Sequence, residues 1–389
     1  MNTLKQKTLI KRLLALSLSV GLALATGAEA ANLTDTKVKF SGYIKVDAMY
    51  SDYSNGEGVG PGRDIYVPSL VQTGATDDGI GGRFDAHAKQ SRFRFTTNTP
   101  LDGEDVITGV LEFDFLLTSD GDERVSNSYT PRMRHAYLKY NNWLIGQTWS
   151  TIMDLGALVE SVDFIGTTDG VAFTRQPQIR YSNNGFEVAL ENPETTVGTT
   201  TTAQITTDDN SVPDLIGTYT MKASWGHVKV GGILRQLAYE TQGEDYSDTG
   251  IALSLSSRIN LSNGDDIRIQ VASGSGLGRY VGVNAANGAF LDDEGNFDAI
   301  DATAVTVAYR HLWSERARTN LIFSSLDVDT VEGMVSSRTH DVYSTRINYI
   351  YNITKPLSVG LEYTYAKRET VDGFDGDMSR VQAMAKYAF

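Results

Sequence analysis

Arginine recurs in this chain beside apolar residues. Arg92 and Arg94 alternate with Phe93 and Phe95, Arg180 lies between Ile179 and Tyr181, Arg268 between Ile267 and Ile269, and Arg346 precedes Ile347. Arg258, Arg310, Arg318, Arg380 and Lys45 sit in similar runs. A guanidinium is a permanent cation whose fork of donors matches carboxylate and phosphate oxygens. Several on one surface would concentrate anions near it. Any one of them could instead pair with an acid such as Glu112, Asp114 or Glu362. Anion attraction is the chemistry these residues offer.

Other chemistries find little support. The five histidines, His87, His135, His227, His311 and His340, are scattered and make no metal-ligand spacing. Asp292-Asp293-Glu294-Gly295-Asn296-Phe297-Asp298 lacks the order of a calcium loop, and no G-x-S-x-G nucleophile motif appears. The reading is therefore a non-enzyme with no obligatory cofactor or resident metal. Beyond residue 30 the chain holds 30 basic and 47 acidic residues, a net charge of −17. Nucleic acid is a poor partner for such a balance.

The arginines need elements that hold them on one face, and the alternation supplies these. Period-two segments bounded by turn signals predict strands at 38–53, 87–98, 105–118, 131–141, 142–151, 177–184, 185–193, 214–225, 226–240, 248–262, 264–278, 301–314, 316–330, 339–354, 355–369 and 378–389, sixteen in all. Tight turns alternate with long polar segments near 54–86, 119–130, 152–176, 194–213, 241–247, 279–300, 327–340 and 370–377. The last strand places Val381, Ala383, Ala385, Tyr387 and Phe389 on one face and Arg380, Gln382, Met384 and Lys386 on the other. In a soluble protein that end would be an open edge; in a lipid-facing barrel it is the closing stave. Lys5, Lys7, Lys11 and Arg12, the apolar run Leu13 to Ala25 and Ala28-Glu29-Ala30 read as a secretory signal peptide over 1–30, ahead of one barrel domain over 31–389. The chain has no cysteine, and its mean hydropathy is negative, as expected when half of each strand faces water. The expected class is all-β, a sixteen-stranded antiparallel transmembrane barrel with short periplasmic turns and long extracellular loops. A soluble β-sandwich would share the strand periodicity but not the leader, the terminal strand and the loop rhythm.

With apolar faces toward lipid, parity sends Ser254, Ser256 and Arg258, Arg268 and Gln270, Thr306 and Arg310, Arg318 and Asn320, and Arg346 and Asn348 inward, together with Arg92, Arg94, Arg180, Lys45 and Arg380. The acids gather in the long segments, for example Asp64, Asp77, Asp78, Asp208, Asp209, Asp292, Asp293 and Glu294. After the fifth strand, Thr151-Ile152-Met153-Asp154 fits a capping box and predicts a short helix over Leu155 to Glu160. The segment 152–176 is unusually apolar, and burying it against the inside of its own barrel would narrow the lumen; packing on a neighbouring subunit is the alternative. Its acids Asp154, Glu160 and Asp163, and Arg175 at its end, are then candidates for the passage lining.

Arg132-Met133-Arg134-His135-Ala136-Tyr137-Leu138, Trp143-Leu144-Ile145-Gly146-Gln147-Thr148-Trp149-Ser150 and Gln176-Pro177-Gln178-Ile179-Arg180-Tyr181 resemble the trimeric outer-membrane porins of the DcaP-like family. The resemblance implies sixteen strands, an infolded third loop after Ser150, and a basic constriction with Arg175 and Arg180 where that loop returns to the wall. It also implies a homotrimer in outer-membrane lipid and lipopolysaccharide, and small anionic solutes such as dicarboxylates. Some members carry a periplasmic coiled coil before the barrel, whereas here only Ala31 to Lys37 precede the first strand. A plugged structural barrel or adhesin, acting through the acidic loops, is the competing function.

Overall fold

The computed structural model describes residues 35–75, 79, 81–101, 103–118, 124–164 and 167–389. The expected leader over 1–30, and Asp77 and Asp78, lie outside the described residues. Sixteen staves follow one another: β1 (Lys37–Tyr53), β2 in two segments (Arg83–His87 and Arg92–Pro100), β3 (Val106–Asp114), β4 (Arg132–Tyr140), β5 (Trp143–Trp149), β6 (Arg175–Asn183), β7 (Phe186–Glu191), β8 (Asp214–Ala223), β9 (Gly226–Thr241), β10 (Glu244–Asn260), β11 (Asp266–Ser275), β12 (Asp301–Leu312), β13 (Ala317–Val328), β14 (Thr339–Asn352), β15 (Leu357–Thr370) and β16 (Asp375–Ala388). Each pairs antiparallel with its sequence neighbour, and β16 returns to β1 with Tyr43 opposite Ala388 and Tyr53 opposite Met378. Closure leaves no edge strand, which hydrocarbon would not tolerate.

The faces follow the alternation. Ile251, Leu253 and Leu255 are exposed on the outside, whereas Ser256 is buried. Ile347 and Tyr349 are likewise exposed, while Arg346 and Asn348 are buried.

Three expectations change. The expected strand 87–98 is broken at 88–91, where Lys89 turns aside: its carbonyl accepts from the Phe115 amide at 3.0 Å and its Nζ pairs with Asp64 at 2.8 Å. Residues 241–247 are not a long loop. Gln242 (φ 53°) and Gly243 (φ 85°) form a two-residue hairpin turn, and β9 and β10 extend up to it. The capping-box helix after Thr151 does not form either. The Asp154 carboxylate does accept from the Gly156 and Ala157 amides at 2.9 and 3.3 Å, but His227 and Ser256 on the barrel wall also hold it, at 2.7 Å each, and the chain continues as turns.

Two of the long loops build a second sheet, in which Thr195–Thr199 pairs with Ile205–Thr207 and, in parallel, with Ala289–Leu291, itself paired with Phe297–Ala299. At the opposite end the C-terminus seals the cylinder: Gly42 and Phe389 exchange both backbone hydrogen bonds at 3.0 Å, and the Phe389 ring lies 5.3 Å from Phe40 and 6.3 Å from Phe93. Deleting Phe389 should sharply lower the fraction of heat-modifiable, membrane-inserted barrel on a gel-shift assay. Phe374→Ala, an exposed loop aromatic, should leave that fraction unchanged.

Candidate functional site

The segment from Ser150 to Thr174, between β5 and β6, lies inside the cylinder and is stitched to its wall. Lys229 of β9 donates to the Thr151 and Met153 carbonyls at 2.8 and 3.1 Å, and Gln270 of β11 to the Ala157 carbonyl at 3.0 Å. Arg318 of β13 grips Glu160 through two hydrogen bonds, one of 2.6 Å, and Lys45 of β1 reaches the Val162 carbonyl at 2.6 Å. The strongest anchor is Glu362 on β15. Its buried carboxylate accepts from Ser161 Oγ at 2.7 Å, the Val162 amide at 3.0 Å, Asn348 at 2.9 Å and Arg346 at 3.4 Å. Further along, the Gly170 amide donates to Ser324 Oγ at 2.7 Å, and a Cβ there would fall 1.9 Å from the Val305 carbonyl oxygen. Only glycine allows so close an approach.

The acids expected on the passage are therefore taken up by the wall. Asp154 is held by His227 and Ser256, Glu160 by Arg318, and Asp163 by Arg346 at 3.3 Å and by the Tyr66 amide at 3.0 Å. Four of the expected cations are sealed beneath loops. Arg346 is wholly buried between Asp163 and Glu362; Arg380 is spent on Ser51, Tyr53 and the Gly62 carbonyl; Lys45 pairs with Asp47 at 2.8 Å; and Arg268 is held by Asp266 at 2.7 Å and by the Leu158 carbonyl. Asp266 also takes Arg258 at 3.1 Å and Arg310 at 2.5 Å, which gathers three arginines on one carboxylate.

A denser group lies on β2–β6. Glu112 faces Arg92 at 3.5 Å, Arg94 at 3.5 Å and Arg134 at 2.9 Å, while Asp114 takes Arg132 at 2.9 Å and Arg134 at 3.0 Å. Phe164, from the infolded loop, sits 5.2 to 5.9 Å from the guanidinium carbons of Arg134, Arg132 and Arg92. Arg175 stacks on Trp149 at 4.6 Å; among the described residues no carboxylate is within ion-pair distance of it, and its buried Nη1 has no hydrogen-bond partner. Five guanidiniums thus stand against two carboxylates, an excess of three positive charges. Arg180 lies beside them, bonded to Gln178 and the Trp149 carbonyl and 3.5 Å from Glu187.

The model of the family "DcaP outer membrane protein" matches residues 3–389. This chain belongs to the DcaP outer membrane protein family. Among solved structures, the outer membrane channel DcaP of Acinetobacter baumannii is similar at 24% identity and TM-score 0.76, over 93% of this chain and 100% of that one. An anion-selective porin from Comamonas acidovorans (12% identity, TM-score 0.58, 91% and 100% covered) and the trimer form of OmpT from Vibrio cholerae (14%, 0.54, 91% and 99%) share the fold. No curated protein matches the chain. Membership makes the barrel an outer-membrane one.

Parity alone does not yield the full arginine group of this DcaP family member. Arg132 and Arg134 drop out because the β3–β4 register shifts between Glu112 and Phe113, so that Met133, Arg134 and His135 cease to alternate. The cluster of five arginine-type charges on two acids is visible only once these staves are side by side.

Breaking a buried ion pair by neutralising one partner is worth about 3–5 kcal/mol. Glu362→Gln should therefore speed hydrogen exchange at the Val162 and Asp163 amides by several orders of magnitude, while amides of β9 and β10 keep their protection. Unchanged exchange at Val162 would mean that the loop is held elsewhere.

Proposed function

We propose that this chain is a passive outer-membrane channel for small hydrophilic solutes, selective for anions and favouring dicarboxylate-like ones. The observation that carries this reading is the unbalanced arginine group on β2–β6, with Arg94 solvent-accessible at 38% of its side chain and Arg175 without a carboxylate partner among the described residues. Unit charges 4 Å apart attract by about 4 kcal/mol at an effective dielectric of 20, and two carboxylates on one solute can use two such cations. Acidic loops further out are screened within about 8 Å at physiological salt, so the larger negative total does not decide the sign of the selectivity. The anion selectivity named for the Comamonas acidovorans porin agrees with this sign.

A homotrimer in lipid and lipopolysaccharide is the proposed assembly. Staves β3–β7 are only 6 to 9 residues long, against 12 to 17 for most of β9–β16. Tilted by roughly 40° at ~3.3 Å per residue, they rise about 15–23 Å, short of the ~25 Å apolar band. A low wall of this kind is best covered by another copy. Phe40, Phe93, Phe95, Phe113 and Phe389 form a continuous aromatic patch beside it, with ring centroids 5.1 to 6.4 Å apart.

One observation favours the competing reading of a plugged structural barrel: part of the lumen is filled by an apolar core containing Leu277, Tyr280 and Phe290. Purified protein in a planar bilayer separates the two. An open ohmic, anion-selective conductance is expected, and a silent barrel would overturn the channel reading. Replacing Arg92, Arg132 and Arg175 together with alanine should shift the reversal potential in a KCl gradient toward cations and slow dicarboxylate uptake more than uptake of a neutral solute. Asp208→Asn with Asp209→Asn should change neither. In mild detergent, Phe93→Ser with Phe95→Ser should convert a trimer into monomers by light scattering; a trimer that survives both would place the interface elsewhere.

A further inference from the structure

The segment between β11 and β12 behaves unlike a surface loop. Nearly every residue from Gly276 to Phe290 is buried. What buries it is the inside of the barrel: Ile216, Ile233, Ala252, Ala272, Leu326 and Val342 turn inward at the long-loop half and form one apolar cluster with Leu277, Tyr280 and Phe290 and with Ile152 and Ala172 of the infolded loop. Together with Ala302 and Ala304 of β12, these wall residues belong to seven of the sixteen staves, β8 to β14. The opposite wall, β2–β6, presents its arginines and acids instead.

The segment is also latched. Tyr280 donates to Asp214 of β8 at 2.8 Å and receives from Gln176 of β6 at 2.9 Å, and Arg235 of β9 lies 3.5 Å from the same Asp214 while donating to the Gly276 carbonyl at 3.0 Å. The Tyr280 carbonyl accepts from the Phe173 amide at 2.8 Å, which ties the segment to the returning end of the infolded loop. Above it, Gly288 bonds to Thr196 at 2.8 Å and Ala289–Leu291 joins the outer sheet, so the polar loops form a roof over an apolar filling.

We propose that residues 276–300 are a second partition of the passage, a fixed plug that closes the β8–β14 side of the long-loop mouth and sends every solute along the arginine wall. The inference rests on the channel reading. It makes the plug a determinant of both pore size and selectivity: with that side sealed, no solute bypasses the cations of β2–β6. The apolar part of the segment, Leu277, Tyr280 and Phe290, suits the task because it excludes water and ions, and the acids Asp293, Glu294 and Asp298 stay exposed beyond it.

The chain has no cysteine, so single cysteines can test this in the full-length protein. Leu326→Cys lies under the plug, against Gly282, and Arg94→Cys lies on the open side. A charged, membrane-impermeant thiol reagent should modify the first on the order of a hundredfold more slowly than the second, since reaction requires local opening. Similar rates would overturn the proposal. Replacing residues 283–298 by two glycines should raise single-channel conductance about twofold, by opening close to half of the mouth, and should weaken anion selectivity. Unchanged conductance in an inserted variant would also overturn it. A wild-type barrel that conducts nothing would remove the channel reading instead, whereas a conducting wild type with both cysteines equally reactive removes only the plug.

Discussion

Backbone hydrogen bonding in hydrocarbon governs this molecule. An unpaired N–H or C=O facing lipid costs several kcal/mol, so the wall must close on itself, as it does where β16 meets β1 and Gly42 meets Phe389. Closure fixes the rest. Each stave acquires an outside that must be apolar and an inside that lipid does not see. The inner surface is then free to be charged, apolar or covered, and this chain uses all three in different sectors.

The charged sector works by imbalance rather than by abundance. Some inward arginines are matched, Arg318 with Glu160 and Arg346 with Asp163 and Glu362, whereas Arg258, Arg268 and Arg310 share Asp266 alone. The pairs to Glu160 and Asp163 hold the infolded loop. On β2–β6 the count does not close, because Glu112 and Asp114 serve four arginines and Arg175 is left on Trp149. A surplus of cations fixed to strands, rather than to mobile loops, is pre-organised for an anion and costs little rearrangement when one arrives.

The apolar sector solves a different problem. A barrel of this width encloses more volume than its own side chains fill. Besides the segment after β1, which buries Ile65, Tyr66 and Val71 inside the wall, two loops fold in to occupy it. The segment after β5 is held by polar bonds to many staves, and the segment after β11 by burial of Leu277, Tyr280 and Phe290 together with the bonds of Tyr280 to Asp214 and of Arg235 to the Gly276 carbonyl. They meet at the Phe173–Tyr280 backbone bond, so that neither is an independent lid.

Much of the cylinder was legible in the sequence, because period-two alternation is a local property and lipid enforces it on the outer face. Val381 to Phe389 and Ile251 to Leu255 announced their orientation directly, and the strand number and order followed from such runs. Where local and tertiary demands diverge, the tertiary ones win. Thr151 to Asp154 carries a capping box, but the wall residues His227 and Ser256 compete for that carboxylate and no helix forms. The bulge at Arg134 hides two arginines from any parity count. Ile216, Ile233 and Leu326 look the same in sequence whether they face lipid or a plug. An arginine's charge is written in its residue type, but whether that charge is spent on Glu362 or left over beside Trp149 depends on which staves closure brings together, and only the tertiary structure decides that.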